Sequence, residues 1–236
     1  MRGVKAALRD ARYALPGRLG RLLPAPDAQS VARLARRLER RGIGVTTGYI
    51  PGPDAEPTAV AAENIAVITL LAGRDGTPYL SAKLPTLAFD EPAFATIAQA
   101  ADSAAMPLLF DAHALKDAGP IHAYLAALLP QQPGTGIVLP ARWRRSLDDA
   151  ARLRDTTARL RIVKGEWADP DWPDCDMDHA YRALVETLAG RSAPVAVATH
   201  KPELADHALR TLRTAGTPCE LEQLRGLPMR RSTAIA

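Results

Sequence analysis

The chain has 236 residues, enough to bury the core of a single α/β domain. It carries a formal net charge of +4 and 47% hydrophobic residues, without a run of eighteen apolar residues that would predict a transmembrane helix. Residues 1–45 hold eleven Lys/Arg against three Asp/Glu, so the basic excess lies at the N-terminus. Neither interleaved aromatic residues nor a recognisable motif supports nucleic-acid binding.

The N-terminal segment, residues 1–41, is predicted to be helical and interrupted by proline and glycine. Helices are expected at 1–15 and 29–41, the second capped by Ser30. In the first, basic residues alternate with apolar ones. That pattern fits either an amphipathic helix on an anionic membrane surface or a solvated helix packed on the domain. No long apolar region follows that would indicate a cleavable secretory signal.

From residue 42 onward, short apolar runs alternate with helical segments. Strand starts recur roughly every 24 to 34 residues, the length of one βα unit. Short buried strands joined by helices predict a parallel sheet. Because no Gly-rich dinucleotide fingerprint follows the first strand, the pattern favours a (β/α)8 barrel of the TIM type over a doubly wound sheet. The predicted strands are 44–50, 79–84, 107–111, 136–140, 160–164, 195–199 and 218–221, and the predicted helices between them are 58–72, 91–105, 118–129, 145–158, 176–189 and 202–214.

The number of units falls short of a complete barrel. After the seventh strand, residues 225–236 are too few for the helix that should follow it and for an eighth strand and its helix. We therefore expect residues 42–236 to form an incomplete barrel, either truncated or completed by another chain. An open barrel leaves two strand edges unpaired.

Polar residues end several predicted strands, where barrel active sites lie. Lys83 follows an apolar run, and an unpaired lysine is costly to bury, so it needs a partner. Asp111 ends the neighbouring strand and is the expected partner. The pair is either part of a binding site or a structural ion pair.

Two further strand ends have the character of a ligand site. The stretch 160–170 begins as a strand and ends in a turn with Arg161, Lys164 and Gly165, which suits a ligand with delocalised negative charge. The stretch 195–203 runs from a strand directly into a helix, with Thr199 and His200 at the junction. Free N–H groups there form either a phosphate site or an ordinary helix cap.

No metal site is predicted. The histidines lack metal-binding spacing, and the two cysteines, Cys175 and Cys219, are expected to be reduced thiols.

Taken in order, five segments resemble proline dehydrogenase, the flavin-dependent first enzyme of proline catabolism, over about residues 42–228. Leu160–Gly165 resembles the start of R-L-V-K-G-A-Y-W, the most specific motif of that family. The remaining matches are Ser81–Leu84 with S-V-K-L, Phe110–Ala112 with a D-A pair, Ala198–Lys201 with A-T-H-N/K, and Glu220–Leu227 with E-F-Q-x-L-x-G-M.

This resemblance implies a distorted (β/α)8 barrel with FAD at its C-terminal mouth. The implied reaction is oxidation of L-proline to 1-pyrroline-5-carboxylate by hydride transfer to flavin N5, the first step towards glutamate. Electrons would pass to a quinone or another acceptor. The expected location is cytoplasmic, with peripheral contact to the inner membrane through the basic N-terminus. The implied residues are Lys83, Asp111 and Arg161 for catalysis, Lys83, Asp111 and Leu224 for substrate, and Arg161, Val163, Lys164, Gly165, Thr199 and His200 for the cofactor.

The chain departs from the family pattern at several positions. Pro140 stands where a flavin-bonding Gln is usual, Glu222 replaces the Gln of strand 7, and Glu166–Ala168 stands where A-Y-W is expected. The final helix, whose Arg pair binds the proline carboxylate, is not recognisable. Two alternatives therefore stay open: a non-catalytic relative that binds flavin or a partner, and a Schiff-base aldolase using Lys83 or Lys164.

Overall fold

The computed structural model describes residues 27–51, 54–73 and 78–225. The helix predicted at 1–15, with its proposed membrane contact, lies outside these residues, as do Gly226 and Leu227 of the last motif. Within the described ranges, no helix combines the length and the apolar character needed to cross a membrane.

Strands and helices alternate along the described part of the chain, as the sequence predicts. Short 3-10 helices follow the second and third strands, at Leu84–Leu87 and Leu115–Asp117. The strands are β1 (Thr46–Thr47), β2 (Tyr79–Ala82), β3 (Leu108–Phe110), β4 (Gly136–Pro140), β5 (Arg159–Val163), β6 (Val195–Ala198) and β7 (Cys219–Glu222), and the α-helices are α1 (Ala28–Glu39), α2 (Pro57–Leu71), α3 (Glu91–Ser103), α4 (Ala118–Leu128), α5 (Ser146–Leu153), α6 (Met177–Leu188) and α7 (Pro202–Thr214).

The sheet is parallel and its strands lie in sequence order, from β1 to β7. A doubly wound sheet reverses its strand order, whereas a barrel does not. The sheet curls into a half-barrel, and among the described strands β1 and β7 form its two open edges. The predicted α/β class and parallel sheet are therefore confirmed.

The two faces of the sheet have different chemistry because successive side chains on a strand point to opposite sides. The outer face packs on the helices and supplies the hydrophobic core, with residues such as Leu108, Phe110, Leu160 and Ile162 completely buried. Each such side chain contributes about 1.5–3 kcal/mol through burial. The inner face carries ionisable groups instead. They include Lys83, Asp111, Arg159, Arg161, Glu220 and Glu222.

Helix α1 begins earlier than the sequence suggests. Ser30 is not its N-cap, and that prediction was wrong. The cap is Asp27, whose Oδ1 accepts a hydrogen bond of 2.7 Å from the backbone N–H of Ser30. The carboxylate satisfies a free N–H group of the first turn, which leaves Ser30 inside the helix. Helix α1 packs on α2 and buries the small side chains of Ala32 and Ala35.

A buried carboxylate ties α4 to α5. Asp149 accepts hydrogen bonds from Arg145 Nε at 2.7 Å and lies 3.2 Å from His122 Nε2. It also pairs with Arg152. Burial alone would raise the pKa of Asp149, but hydrogen bonds from His122 and Arg145 outweigh it and hold that pKa well below its usual range. The cluster fixes the helix that follows β4, next to the mouth of the half-barrel.

Candidate functional site

A cavity of about 1470 Å³ opens at the C-terminal ends of the strands. All seven strand ends contribute residues to its lining, and α1 forms a further wall. Because parallel strands end at the same edge of a sheet, residues far apart in the sequence meet there.

The ion pair predicted between Lys83 and Asp111 is present. The two residues follow the adjacent strands β2 and β3, and Lys83 Nζ bonds to Asp111 Oδ2. Ser81 Oγ donates a hydrogen bond of 3.2 Å to the same carboxylate oxygen. Both charged side chains line the cavity and are partly accessible. The pair therefore offers a cation and an anion side by side to anything that enters.

Arg161 points into the cavity from β5 and forms an ion pair with a carboxylate of the protein. Its Nε lies 2.6 Å from Glu222 Oε2 on β7. Glu222 Oε1 accepts a hydrogen bond of 2.9 Å from Arg159, which also pairs with Glu220 and lies over the ring of Tyr79 at 4.2 Å. Two arginines and two glutamates thus form one network on the inner face.

The turn after β5 brings the backbone close to its neighbour. Gly165 has a φ of +93°, and a Cβ atom there would lie 2.9 Å from the Cβ of Pro140. Only glycine adopts this conformation without strain and fits this space. Val163 and Gly165, two residues of the expected cofactor site, line the cavity.

Lys164 does not line the cavity. Its Nζ lies 3.1 Å from Asp178 Oδ1 at the start of α6, and Lys201 Nζ donates to the other oxygen of that carboxylate at 2.7 Å. Hydrogen bonds from Lys201 and Lys164 lower the pKa of Asp178. The geometry therefore places Lys164 apart from the other residues of the predicted cofactor site.

Thr199 and His200 lie at the junction of β6 and α7, within the cavity lining. Thr199 Oγ1 accepts a hydrogen bond of 3.1 Å from the N–H of Lys201. His200 Nε2 accepts one of 3.0 Å from the N–H of Leu224, which assigns the ring proton of a neutral His200 to Nδ1. This bond connects the end of β6 to the segment after β7. It holds Leu224, 70% exposed, at the rim.

An indole side chain also lines the cavity. Trp167 is 49% exposed, and its ring centroid lies 5.7 Å from that of His113. Trp143 Nε1 donates to Trp167 O at 2.9 Å, and Arg142 Nη1 donates to Glu166 O at 2.8 Å, so the loop is held in place. A fixed, accessible indole is suited to stacking on a planar ligand. Sequence reasoning did not identify His113 or Trp143.

In the described ranges, no three His, Cys, Asp or Glu side chains group together as a metal site would require. Cys175 and Cys219 are both free thiols, and burial raises the pKa of each. A thiol with a raised pKa is a poor nucleophile at neutral pH.

A comparison with protein-family models found no match for this chain, and neither did a search of curated proteins.

Proposed function

We propose that the chain is a flavin-dependent proline dehydrogenase built on a (β/α)8-type barrel. The observation that carries the proposal is the convergence of its separate motifs on one cavity. Lys83, Asp111, Arg161, Thr199 and His200 come from four different strand ends, yet all line the same opening. Strand ends meet in any parallel barrel, so the support comes from the types of residue that meet here, two cations, a carboxylate, a hydroxyl and an imidazole.

The size and the lining of the cavity support FAD as the proposed cofactor. Its 1470 Å³ exceeds the roughly 300–1,000 Å³ of ordinary small-molecule sites, which leaves room for a large cofactor and a substrate. Thr47 contributes a buried hydroxyl that has no hydrogen-bond partner in the described structure. Arg161, Val163, Gly165, Thr199 and His200 would hold the cofactor.

When bound, FAD would supply a hydride acceptor for the carbon next to the proline nitrogen, giving 1-pyrroline-5-carboxylate. Arg161 and the N–H groups at the start of α7 would stabilise the negative charge that develops on reduction. The Lys83–Asp111 pair matches the opposite charges of an amino acid zwitterion. Leu224 would cover the ring carbons. The electron acceptor in this proposal is a quinone or a similar compound.

The decisive measurement is an absorption spectrum of the purified chain, recorded without oxygen before and after addition of L-proline. We expect flavin bands that proline bleaches. A colourless protein that takes up no added FAD would overturn the proposal. A flavin band that proline leaves intact would indicate a non-catalytic relative, and trapping of an aldehyde by borohydride would indicate a Schiff-base enzyme.

Three variants sharpen this experiment. Arg161→Ala should lower flavin retention, and Lys83→Ala should mainly raise the proline concentration needed for bleaching. Lys164→Ala is the matched control, because this lysine bonds to Asp178 outside the cavity. Equal behaviour of the Arg161 and Lys164 variants would show that the cavity is not the flavin site.

A further inference from the structure

Helix α1 presents a row of arginines to the cavity. Arg33, Arg37 and Arg40 lie at intervals of four and three residues, so they share one face of the helix. All three line the cavity and are exposed. Arg36 and Arg41 lie on the same helix segment but outside the cavity lining. The helix thus has a basic face towards the cavity and basic residues facing elsewhere.

The charges of the cavity are distributed unevenly. On the sheet side, Lys83 pairs with Asp111 and Arg161 with Glu222. Over the whole described lining, six Lys/Arg stand against three Asp/Glu. The positive excess therefore belongs largely to the α1 wall.

Among the described residues, Arg33, Arg37 and Arg40 of α1 have no anionic partner. Arg33 donates to the hydroxyl of Ser30 at 2.8 Å, a neutral group. In the described structure, the side chains of Arg37 and Arg40 form neither a hydrogen bond nor an ion pair. Like charges at this spacing destabilise a helix. An anion bound between them would relieve that repulsion.

We propose that Arg37 and Arg40, supported by Arg33, bind an oxyanion group of the cavity's ligand. A guanidinium presents paired N–H donors that match a carboxylate or a phosphate in a bidentate manner. The inference rests on the proposed function only for the source of that group. The phosphates of a dinucleotide cofactor and the carboxylate of an amino acid offer the same chemistry.

The test is calorimetric titration of the chain, freed of any bound flavin, with inorganic pyrophosphate and separately with acetate. The test variant is Arg37→Gln with Arg40→Gln. The control is Arg36→Gln with Arg41→Gln, which removes the same charge from α1 and the turn that follows it. Glutamine keeps the helix propensity close to that of arginine, and thermal unfolding verifies that both variants fold. We expect the affinity for the bound anion to fall by about tenfold in the test variant only.

The possible outcomes distinguish a phosphate from a carboxylate ligand, and they distinguish failure of this inference from failure of the proposed function. Tight binding of pyrophosphate alone would identify a phosphate site, and binding of acetate alone a carboxylate site. Equal losses in the two variants, or no saturable binding of either anion, would overturn the inference. This titration needs no flavin. Bleaching by proline can therefore fail while anion binding persists, which would count against the proposed function alone. Bleaching without anion binding would count against this inference alone.

Discussion

Glu222 is the carboxylate on which two guanidinium groups converge. Its Oε1 lies 2.9 Å from Arg159 Nη2, and its Oε2 lies 2.6 Å from Arg161 Nε. The arginine side chains are only 5% and 10% exposed, respectively. In Glu222→Ala, Arg159 keeps Glu220 as a partner, whereas Arg161 loses its carboxylate. The substitution therefore leaves one nearly buried cation without compensation.

The size of the effect follows from the cost of an unpaired buried charge. Removing one member of a buried ion pair destabilises a protein by roughly 3–5 kcal/mol. Arg161 borders a cavity that water can enter, so we expect the lower end, about 3 kcal/mol. In a domain of this size each kcal/mol shifts Tm by roughly 2–4 °C, which gives a decrease of roughly 6–12 °C.

Urea unfolding, followed by far-UV circular dichroism, measures this loss directly. Glu220→Ala is the matched control because Glu220 is 54% exposed and shares Arg159 with Glu222. It should cost no more than about 1 kcal/mol. Adding Arg161→Met to Glu222→Ala should restore part of the stability by removing the unpaired charge. If Glu222→Ala loses no more stability than Glu220→Ala, the reasoning about the inner face is wrong.

Two other substitutions test the elements that frame the cavity. Gly165→Ala should cost about 2 kcal/mol more than Gly134→Ala in urea unfolding, because both glycines have φ near +90° but only Gly165 would clash, with Pro140. Asp149→Asn should destabilise the chain by about 3 kcal/mol at pH 7. The pKa of Asp149 is lowered in the folded state, so its contribution is fully present above the unfolded pKa of about 4 and is lost as the pH falls below it. The difference between the wild type and Asp149→Asn should therefore shrink in acid, and a constant difference would contradict the pKa argument.

The parts of the fold that the sequence predicts best are those governed by local apolar pattern. Strand β4 has the predicted bounds, 136–140, because an uninterrupted apolar run lies between turn residues. Strand β1, predicted at 44–50, shrinks to Thr46–Thr47. It is an edge of the described sheet and has ladder partners on one side only. Gly44 and Gly48, both within the predicted run, also weaken its tendency to form a strand.

Tertiary contacts decide where other elements end. Helix α5, predicted over 145–158, stops at Leu153. The buried guanidinium of Arg191 donates to the carbonyls of Leu153, Arg154, Thr156 and Ala158. Those carbonyls are therefore engaged by a residue more than thirty positions away. Burial also lowers the pKa of Arg191 to about 10. No local pattern around α5 contains this information.

In the candidate site too, some contacts can be predicted from the sequence and others cannot. The Lys83–Asp111 pair was predictable because the cost of burying a lone lysine requires a partner on a neighbouring strand. The sequence also indicates that Lys164 points away from the cavity, because it lies three positions after Arg161 and residues three apart on a strand face opposite sides. The Arg161–Glu222 contact had none, because it joins β5 to β7 across the intervening β6. Only the curvature of the sheet brings those two side chains together.

Glu222 stabilises the sheet by pairing with Arg161, but its negative charge should weaken the binding of an anion in the cavity. The substitution Glu222→Gln separates these two effects. Glutamine stands at this position in the pattern that the chain resembles. It keeps an oxygen that can accept the hydrogen bond from Arg159, and it removes one negative charge from the cavity lining. Stability should fall less than in Glu222→Ala, by about 1–2 kcal/mol. The affinity for pyrophosphate should rise on the order of fivefold, because the variant has one negative charge fewer in the cavity lining to repel the anion. Glu220→Gln is the control because Glu220 does not line the cavity. Equal affinities in the two variants would mean that the charge of Glu222 has no effect on anion binding. The Arg161–Glu222 pair would then contribute to the stability of the sheet only.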